Sequence, residues 1–426
     1  MCSVRNTGIV HKLLIRESHL STTAEHNTGP EQNKKPVVLQ VLPALETGGV
    51  ERTTVDMAKA IMDAGWTALV TSEGGRMQHE LERAGAEHIV MPLASKNPMQ
   101  IHKNAAELTA LIYDRGISLV HARSRAPAWS AWMAARRVKV PFVTTFHGTY
   151  GLKGPFKKFY NSVMTKGDRV IANSKFIADH VRKQYGLTST DDAGRLLTIP
   201  RGIETTRFFN PAAVSAERII QLAERWRLTD GLPVIMLPGR LTRWKGQTVL
   251  IEALKHFGRQ DVICVLVGDD QGRTKYREEL ETMVREYNLE SVVRFVGNCN
   301  DMAAAYMLAD VVVSASTDPE AFGRIAVEAQ AMGRPVIATD HGGARETILP
   351  DKTGWLVPPG DALELASALR KAVSLDPDAR AEMATAGRTH VLEEYKVELM
   401  TARTLFAYRE LLGFPEAKTY PEAERS

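Results

Sequence analysis

Short apolar runs recur along this chain, each closed by a glycine or a polar turn and followed by a stretch of helical length. In the first half they fall at Val37 to Leu42, Ala68 to Thr71, Leu119 to Ala122, Phe142 to Phe146 and Val170 to Ala172. In the second half they fall at Pro233 to Leu237, Val262 to Gly268, Arg294 to Gly297 and Val311 to Val313. Near-continuous apolar runs of this length are what strands buried on both faces of a parallel sheet look like. Their alternation with helix-length segments predicts an α/β fold whose ligands sit at the carboxyl ends of the strands. Asn210-Pro211 interrupts the chain within residues 209–213 and divides a domain over 36–210 from one over 211–394. At 426 residues, 44% apolar, the chain is long enough for two cores of ordinary size. Residues 1–35 read as a polar, flexible tail and 414–426 as a second tail; Tyr395 to Leu412 has the length and apolar spacing of one more helix.

The run from Ser316 to Gly343 carries the most chemistry. Val311 to Val313 predicts a strand, Pro319 ends it, and Arg324 to Met332 has helical composition. A helix starting near Phe322 or Gly323 offers free backbone N–H groups and the positive end of its dipole, which suit a phosphate or sugar hydroxyls. Gly323 removes the Cβ that would block close approach. Glu320 precedes that helix and Glu328 lies about one and a half turns inside it, so the two reach separate parts of one extended ligand. Ionised carboxylates only accept hydrogen bonds, and each fits a pair of vicinal hydroxyls. Taken alone, an acidic first turn and a solvated glutamate would explain the pair as well.

A second motif, G-R-L-T-R-W-K-G from Gly239 to Gly246, follows the Pro233 strand and aims Arg240 and Lys245 at one place. A guanidinium that forks two oxygens beside a point-charge ammonium matches a diphosphate. In the first half, Gly48 and Gly49 open a helix after the Val37 strand, a weak signal that a plain strand-to-helix turn also explains. The run T-T-F-H-G-T-Y-G ends a strand with His147, placed either to face a cleft or to be buried as a structural histidine. The chain has no G-x-G-x-x-G, which argues against a dinucleotide-dependent dehydrogenase.

Together these residues resemble the retaining, nucleotide-sugar-dependent glycosyltransferases of family 4, which have the GT-B fold, two Rossmann-like domains facing across a central cleft. The resemblance runs from about Lys35 to Gly413, and the Glu-x7-Glu run with its trailing P-V-I-A and G-G carries most of it. It implies that Arg240 and Lys245 bind the donor diphosphate and that Glu328 holds the ribose hydroxyls. It implies that Glu320 contacts the transferred sugar beside the backbone N–H groups of Phe322 and Gly323. The loop at Val296 and Gly297 would hold the base through main-chain contacts, Gly48 and Gly49 would lie against the donor phosphate, and His147 would meet the sugar or its leaving oxygen. Asn173 and Ser174 resemble the serine position of the family. Arg201-Gly202-Ile203-Glu204 departs from the usual Asn-Gly-Val-Asp, so no role is carried over to that loop. The last helix, 395–413, would return to the first domain.

Charge adds an acceptor. Residues 37–210 hold 23 lysines and arginines against 15 acids, a net +8, whereas residues 211–426 come to a net −6. The first domain therefore faces something anionic, and in this family that domain binds the acceptor. Within it, residues 152–166 carry Lys153, Lys157, Lys158 and Lys166 with Phe156, Phe159, Tyr160, Val163 and Met164 at helical spacing. That pattern fits a basic amphipathic helix on an anionic membrane surface as well as an ordinary half-buried one. The expected acceptor is a saccharide or lipid-linked saccharide, in lipopolysaccharide or other bacterial cell-surface glycan assembly; nucleic acid is not expected as a partner. No apolar run is long enough for a transmembrane helix, and three cysteines without metal spacing suit a reducing cytoplasm, so the expected place is cytoplasmic, peripheral on the inner face of the membrane. Asp-Pro-Asp at 376–378 formally matches a metal motif but reads as a helix start. No metal and no cofactor beyond the nucleoside-diphosphate sugar are expected. The competing readings are transfer to a soluble small molecule or glucan, a nucleotide-sugar epimerase or a phosphorylase on the same fold, and a noncatalytic carbohydrate-binding protein.

Overall fold

A computed structural model describes residues 35–151, 154–187, 194–228, 231–414 and 420. The apolar runs form two separate all-parallel sheets. The first contains β1 (Val37–Val41), β2 (Thr67–Ser72), β3 (Glu87–Val90), β4 (Leu119–Ala122), β5 (Phe142–Phe146), β6 (Arg169–Ala172) and β7 (Leu196–Thr198), in the order β3-β2-β1-β4-β5-β6-β7. The second contains β8 (Val234–Pro238), β9 (Ile263–Val267), β10 (Val293–Gly297), β11 (Val311–Ser314), β12 (Val336–Thr339) and β13 (Gly354–Val357), in the order β10-β9-β8-β11-β12-β13. Each sheet reverses its winding once, between β1 and β4 and between β8 and β11, and a crevice opens beyond the strand ends at such a reversal. These are two Rossmann-like domains of the GT-B arrangement.

Both sheets are covered on both faces, which is why their central strands are apolar without alternation: β4, β5, β8, β9 and β11 are buried along their whole length. Around the second sheet the core splits into a cluster on Ile235, Leu254, Leu280 and Leu369 and another on Met236, Val265, Tyr306 and Val327. Strands β3 and β7 lie at the two edges of the first sheet; β3 is only half-buried and β7 is three residues long, so neither leaves a clear apolar run in the sequence. The structure agrees with the helix read at Gly48-Gly49: α1 (Gly49–Asp63) begins there with Gly48 as its N-cap.

The chain crosses back at its end. After α14 (Pro377–Glu394), Ile203 and Tyr395 to Val397 pair through main-chain bonds, Ile203 N to Tyr395 O at 2.8 Å and Val397 N to Ile203 O at 3.0 Å. Helix α15 (Val397–Leu411) then packs on α1 and contributes Val397, Met400, Leu405 and Tyr408 to the first domain's core. Its Tyr408 hydroxyl meets Nδ1 of fully buried His121 at 2.6 Å, and Nε2 of that ring meets Thr145 Oγ1 at 2.7 Å. Burial pushes the His121 pKa well below the ordinary histidine value, so the ring is neutral and needs both partners.

The domains also meet at α6 (Lys175–Tyr185). The Glu346 carboxylate of the second domain accepts from the free N–H groups of Lys175 (2.7 Å) and Phe176 (2.6 Å). Ser174, the α6 N-cap, accepts from Ile177 N at 3.0 Å and donates to Ala321 O at 2.6 Å. One helix terminus of the first domain is thus completed by the second.

Replacing Tyr408 by Phe strands one buried nitrogen of His121 without opening a large void. The expected loss is about 1–3 kcal/mol of unfolding free energy, read from urea denaturation, with the fold retained.

Candidate active site

The second domain builds its half of the site from the loops after β8 and β11, the two strands flanking the reversal. After β8 the chain passes Arg240 and makes a single 3-10 turn, Arg243–Lys245, before Gly246 starts α8 (Gln247–Phe257). Gly246 has φ +73, and a Cβ there would run into the Ala315 carbonyl, so the two loops approach as closely as backbone allows. Thr317 N donates to Trp244 O at 2.8 Å and ties them together. The loop after β11 is pinned by Gly343 N donating to Glu320 O at 2.8 Å, with Gly342 at φ +59 against the same peptide. Gly323, at φ +82, then caps α11 (Arg324–Ala331), where the sequence placed the helix start.

Lys245 Nζ sits 2.7 Å from Glu320 Oε1, with only 12% and 16% of the two side chains exposed. Ser316 Oγ donates to the same oxygen at 2.6 Å. Burial alone would push the Glu320 carboxyl up; the Lys245 ammonium and the serine hydroxyls outweigh it and hold it below the ordinary glutamate value. Arg240 faces the opening with a 3.5 Å contact to Gln271 and has no carboxylate partner among the described residues.

Glu328 is placed differently. Its carboxylate accepts from the buried Tyr306 hydroxyl at 2.9 Å and pairs with Arg324 on the same helix, one turn earlier. Burial and the neighbouring Glu328 push the Tyr306 hydroxyl well above its ordinary value, which keeps it protonated and donating. Glu328 raises the pKa of Arg324, which faces the cavity while its partner stays behind it.

The first domain contributes the ends of β5, β6 and β7. His147 follows β5, Asn173 follows β6 and Arg201 follows β7. Arg201 Nη2 is 2.9 Å from His147 Nδ1, and the same guanidinium presses against Gly49, where a Cβ would collide with it. Burial brings the Arg201 pKa down to about 10, which leaves it charged at neutral pH. Asn173 is 3% exposed, and neither atom of its amide has a hydrogen-bond partner among the described residues. Glu204, the departure from the aspartate of the pattern, caps its own turn by accepting from the N–H groups of Thr206 and Phe208 at 2.8 and 2.7 Å.

Between the domains lies a cavity of about 400 Å³ lined by His147, Asn173, Arg201, Arg240, Glu320 and the Phe322-Gly323 peptide, with Arg324 and Trp244 beside them. Of the residues named from the sequence, Arg240, Glu320, Phe322, Gly323 and His147 converge here; Lys245 joins through Glu320, and Gly49 adjoins through Arg201, while Gly48 lies against Glu51. Glu328, Val296 and Gly297 do not line it; Val296 and Gly297 end β10, the edge strand of the second sheet. Arg201, Arg324 and Trp244 were not singled out in the sequence. Arg324 had a signal, its four-residue spacing from Glu328, but Arg201 had only its departure from the expected asparagine. Asp376 caps α14 by accepting from Ala379 N at 2.8 Å, the structural role read for it. Among the described residues no group of three or more His, Cys, Asp or Glu is placed to hold a metal ion, and no helix is long and apolar enough to cross a membrane.

Comparison with known proteins agrees with this fold. Residues 47–207 match the family described as Glycosyltransferase Family 4, and residues 220–390 match Glycosyl transferases group 1. A glycosyltransferase from Rickettsia africae has the same fold, with TM-score 0.82, 37% identity, and coverage of 89% of this chain and 99% of that one. D-inositol 3-phosphate glycosyltransferase of Xylanimonas cellulosilytica is 31% identical over 63% of this chain and 66% of its own length. The GDP-mannose-dependent alpha-(1-6)-phosphatidylinositol monomannoside mannosyltransferase of Mycobacterium tuberculosis is 30% identical over 54% of this chain and 59% of its own. The chain is a GT-B glycosyltransferase, and it belongs to family 4.

Lys245→Met leaves the Glu320 carboxylate buried without its counter-ion and is expected to cost about 3–5 kcal/mol at pH 7. Glu320→Gln in the same chain should recover much of that loss. Because the folded Glu320 carboxyl lies below its ordinary value of 4.5, the pair's contribution is full above pH 4.5 and is lost as the pH falls below it. Denaturation curves of the single and double variants at pH 7 and pH 4 check both the size and the sign.

Proposed function

We propose that this protein transfers a glycosyl unit, with retention at the anomeric carbon, from a nucleoside-diphosphate sugar to a hydroxyl of a saccharide or lipid-linked saccharide. The observation that carries the reading is the convergence of Arg240 with the Lys245–Glu320 pair at the β8/β11 reversal, on a cavity that His147 closes from the other domain. Three arginines against one carboxylate on the cavity wall suit a diphosphate. Arg240 and Lys245 bind it and stabilise it as it leaves, the N–H groups of the α11 turn assist, and Glu320 orients the sugar hydroxyls. The base lies along Val296 and Gly297, and Glu328 reaches the ribose once the donor draws the α11 turn around it. Gly48 and Gly49 close on the donor phosphate from the first domain. Retention by a glycosidase-like double displacement needs a carboxylate nucleophile and a second acid beside the bond. Glu320 is instead held ionised against Lys245, which favours departure and attack on the same face, assisted by the diphosphate. The cations make a divalent metal unnecessary.

For the acceptor, a net +8 over residues 37–210 favours an anionic or lipid-linked molecule. The names of the mycobacterial and Xylanimonas relatives point to phosphorylated and lipid-linked inositol acceptors, and lipopolysaccharide is one setting within the wider class of cell-surface glycans. Helix α5 (Pro155–Ser162) supports a membrane contact: Phe156 and Phe159 are 87% and 67% exposed beside Lys157 and Lys158. The 152–166 pattern is split, since Val163 and Met164 are buried in the core and Lys166 stacks over Trp132; Leu152 and Lys153 lie outside the described residues.

Arg240→Ala should lower kcat/KM by roughly 100-fold or more, while thermal stability stays within about 1 °C because the side chain has no buried partner. Thermal shift against UDP, GDP and ADP sugars names the donor, and an α-linked donor should give an α-linked product in the presence of chelator. An inverted product, or activity lost to chelator and restored by magnesium, overturns this reading. Vesicles rich in anionic lipid should sediment the protein at low salt, and Phe156→Ser with Phe159→Ser should abolish that binding without touching the fold.

A further inference from the structure

The contact between Arg201 and His147 decides what His147 is able to do. Arg201 offers only N–H donors, so at 2.9 Å the His147 Nδ1 must be the accepting, unprotonated nitrogen. The ring proton then belongs to Nε2. That atom is shut off from solvent and has no protein partner among the described residues. His147 lines both the large cavity and a smaller one of about 20 Å³, and so does Asn173, whose amide has no partner among the described residues. Buried donors without partners are rare, and one beside a ligand cavity points to an oxygen supplied from outside the chain.

We propose that Arg201 is a positioning residue that locks His147 in the neutral Nε2–H form, making His147 a hydrogen-bond donor to an oxygen of the bound sugar or its phosphate and not a base. The cations around the ring favour this state, with Glu51 and Asp56 of α1 offsetting Arg201 and Arg123 only in part. Arg123, at the end of β4, stands behind the ring together with neutral His121, and Arg201 occupies the Nδ1 side. Across the cavity Arg240 and Arg324 face it with Glu320, which is already neutralised by Lys245. Burial, then Arg201, then Arg123 hold the imidazole well below its ordinary pKa. A lysine at 201 would keep the same polarity, because an ammonium also only donates. The asparagine of the family pattern carries an oxygen as well as an amide and imposes no such choice.

The identity of the accepted oxygen rests on the donor-site reading above; the tautomer does not, so the two are tested separately. In ligand-free protein labelled with ¹⁵N-histidine, the ring signal that disappears in His147→Gln should show a bare Nδ1 and a protonated Nε2, unchanged from pH 8 to pH 5.5. Arg201→Lys should preserve that signature, and Arg201→Met should let the ring titrate or take up the Nδ1–H form. With a nucleotide-sugar donor that the wild-type protein turns over, Arg201→Met should lose roughly tenfold in kcat/KM at pH 8 and recover as the pH falls, because imidazolium restores the proton on Nε2. Wild-type turnover should show no matching rise in acid. A wild-type ring that is charged or Nδ1-protonated at pH 7 overturns the proposal, whatever the variants do. An Arg201→Met protein with the wild-type tautomer, or a deficit that does not shrink in acid, overturns it as well.

Discussion

The site depends on a helix end that one domain leaves open and the other completes. Two N–H groups at the start of α6 find their acceptor in Glu346, a residue about 170 positions further along the chain. The neighbouring Ser174 hydroxyl reaches Ala321, the residue between Glu320 and Phe322. The loop that presents Glu320 is therefore fixed by the first domain as much as by its own strand. A carboxylate accepting from free main-chain N–H groups at a positive helix terminus is a strong directional bond, and it sets the separation of the two walls. Tyr395 strengthens the joint by donating to the Glu346 carbonyl at 2.6 Å, where the chain crosses back.

Electrostatics in the cavity follow from which charges are already matched. Lys245 and Glu320 satisfy one another, and Glu328 satisfies Arg324 from behind. Arg240 and Arg201 have no carboxylate partner among the described residues and both face the opening. The free protein thus presents a predominantly positive wall, with two internal pairs whose bonds an anionic or hydroxyl-rich ligand is able to exchange. An anion there meets cations already desolvated by the fold, which raises the worth of each contact over the same contact in water.

Much of this was legible in the sequence because parallel sheets leave a plain trace. The central strands appear as apolar runs nearly to the residue, as Leu119–Ala122 and Phe142–Phe146 show. Of the edge strands, β10 was read at Arg294 to Gly297 but others were not: Glu87–Val90 alternates too weakly, and Gly354–Val357 opens with a glycine whose missing Cβ makes room for the Val336 carbonyl. Site residues were readable where loop chemistry is local, as with Arg240, Lys245 and Glu320. Contacts across the cleft were not, since nothing near Arg201 in the sequence announces His147, 54 positions away, and nothing near Lys175 announces Glu346. The setting of Glu328 was hidden for a related reason, as spacing put it on the right helix but did not announce its bond from Tyr306 or its pairing with Arg324.

The return of α15 to the first domain fixes an order of events during synthesis. The socket around His121 stays without its tyrosine until the whole second domain has been made, an interval of roughly 10–40 s at ribosomal rates. Over that time the part of α1 that α15 covers is presented to water or to a chaperone instead. The last helix is therefore the closing piece of the first domain, and a nascent chain halted after α14 carries a finished second domain beside a first domain that still lacks part of its core.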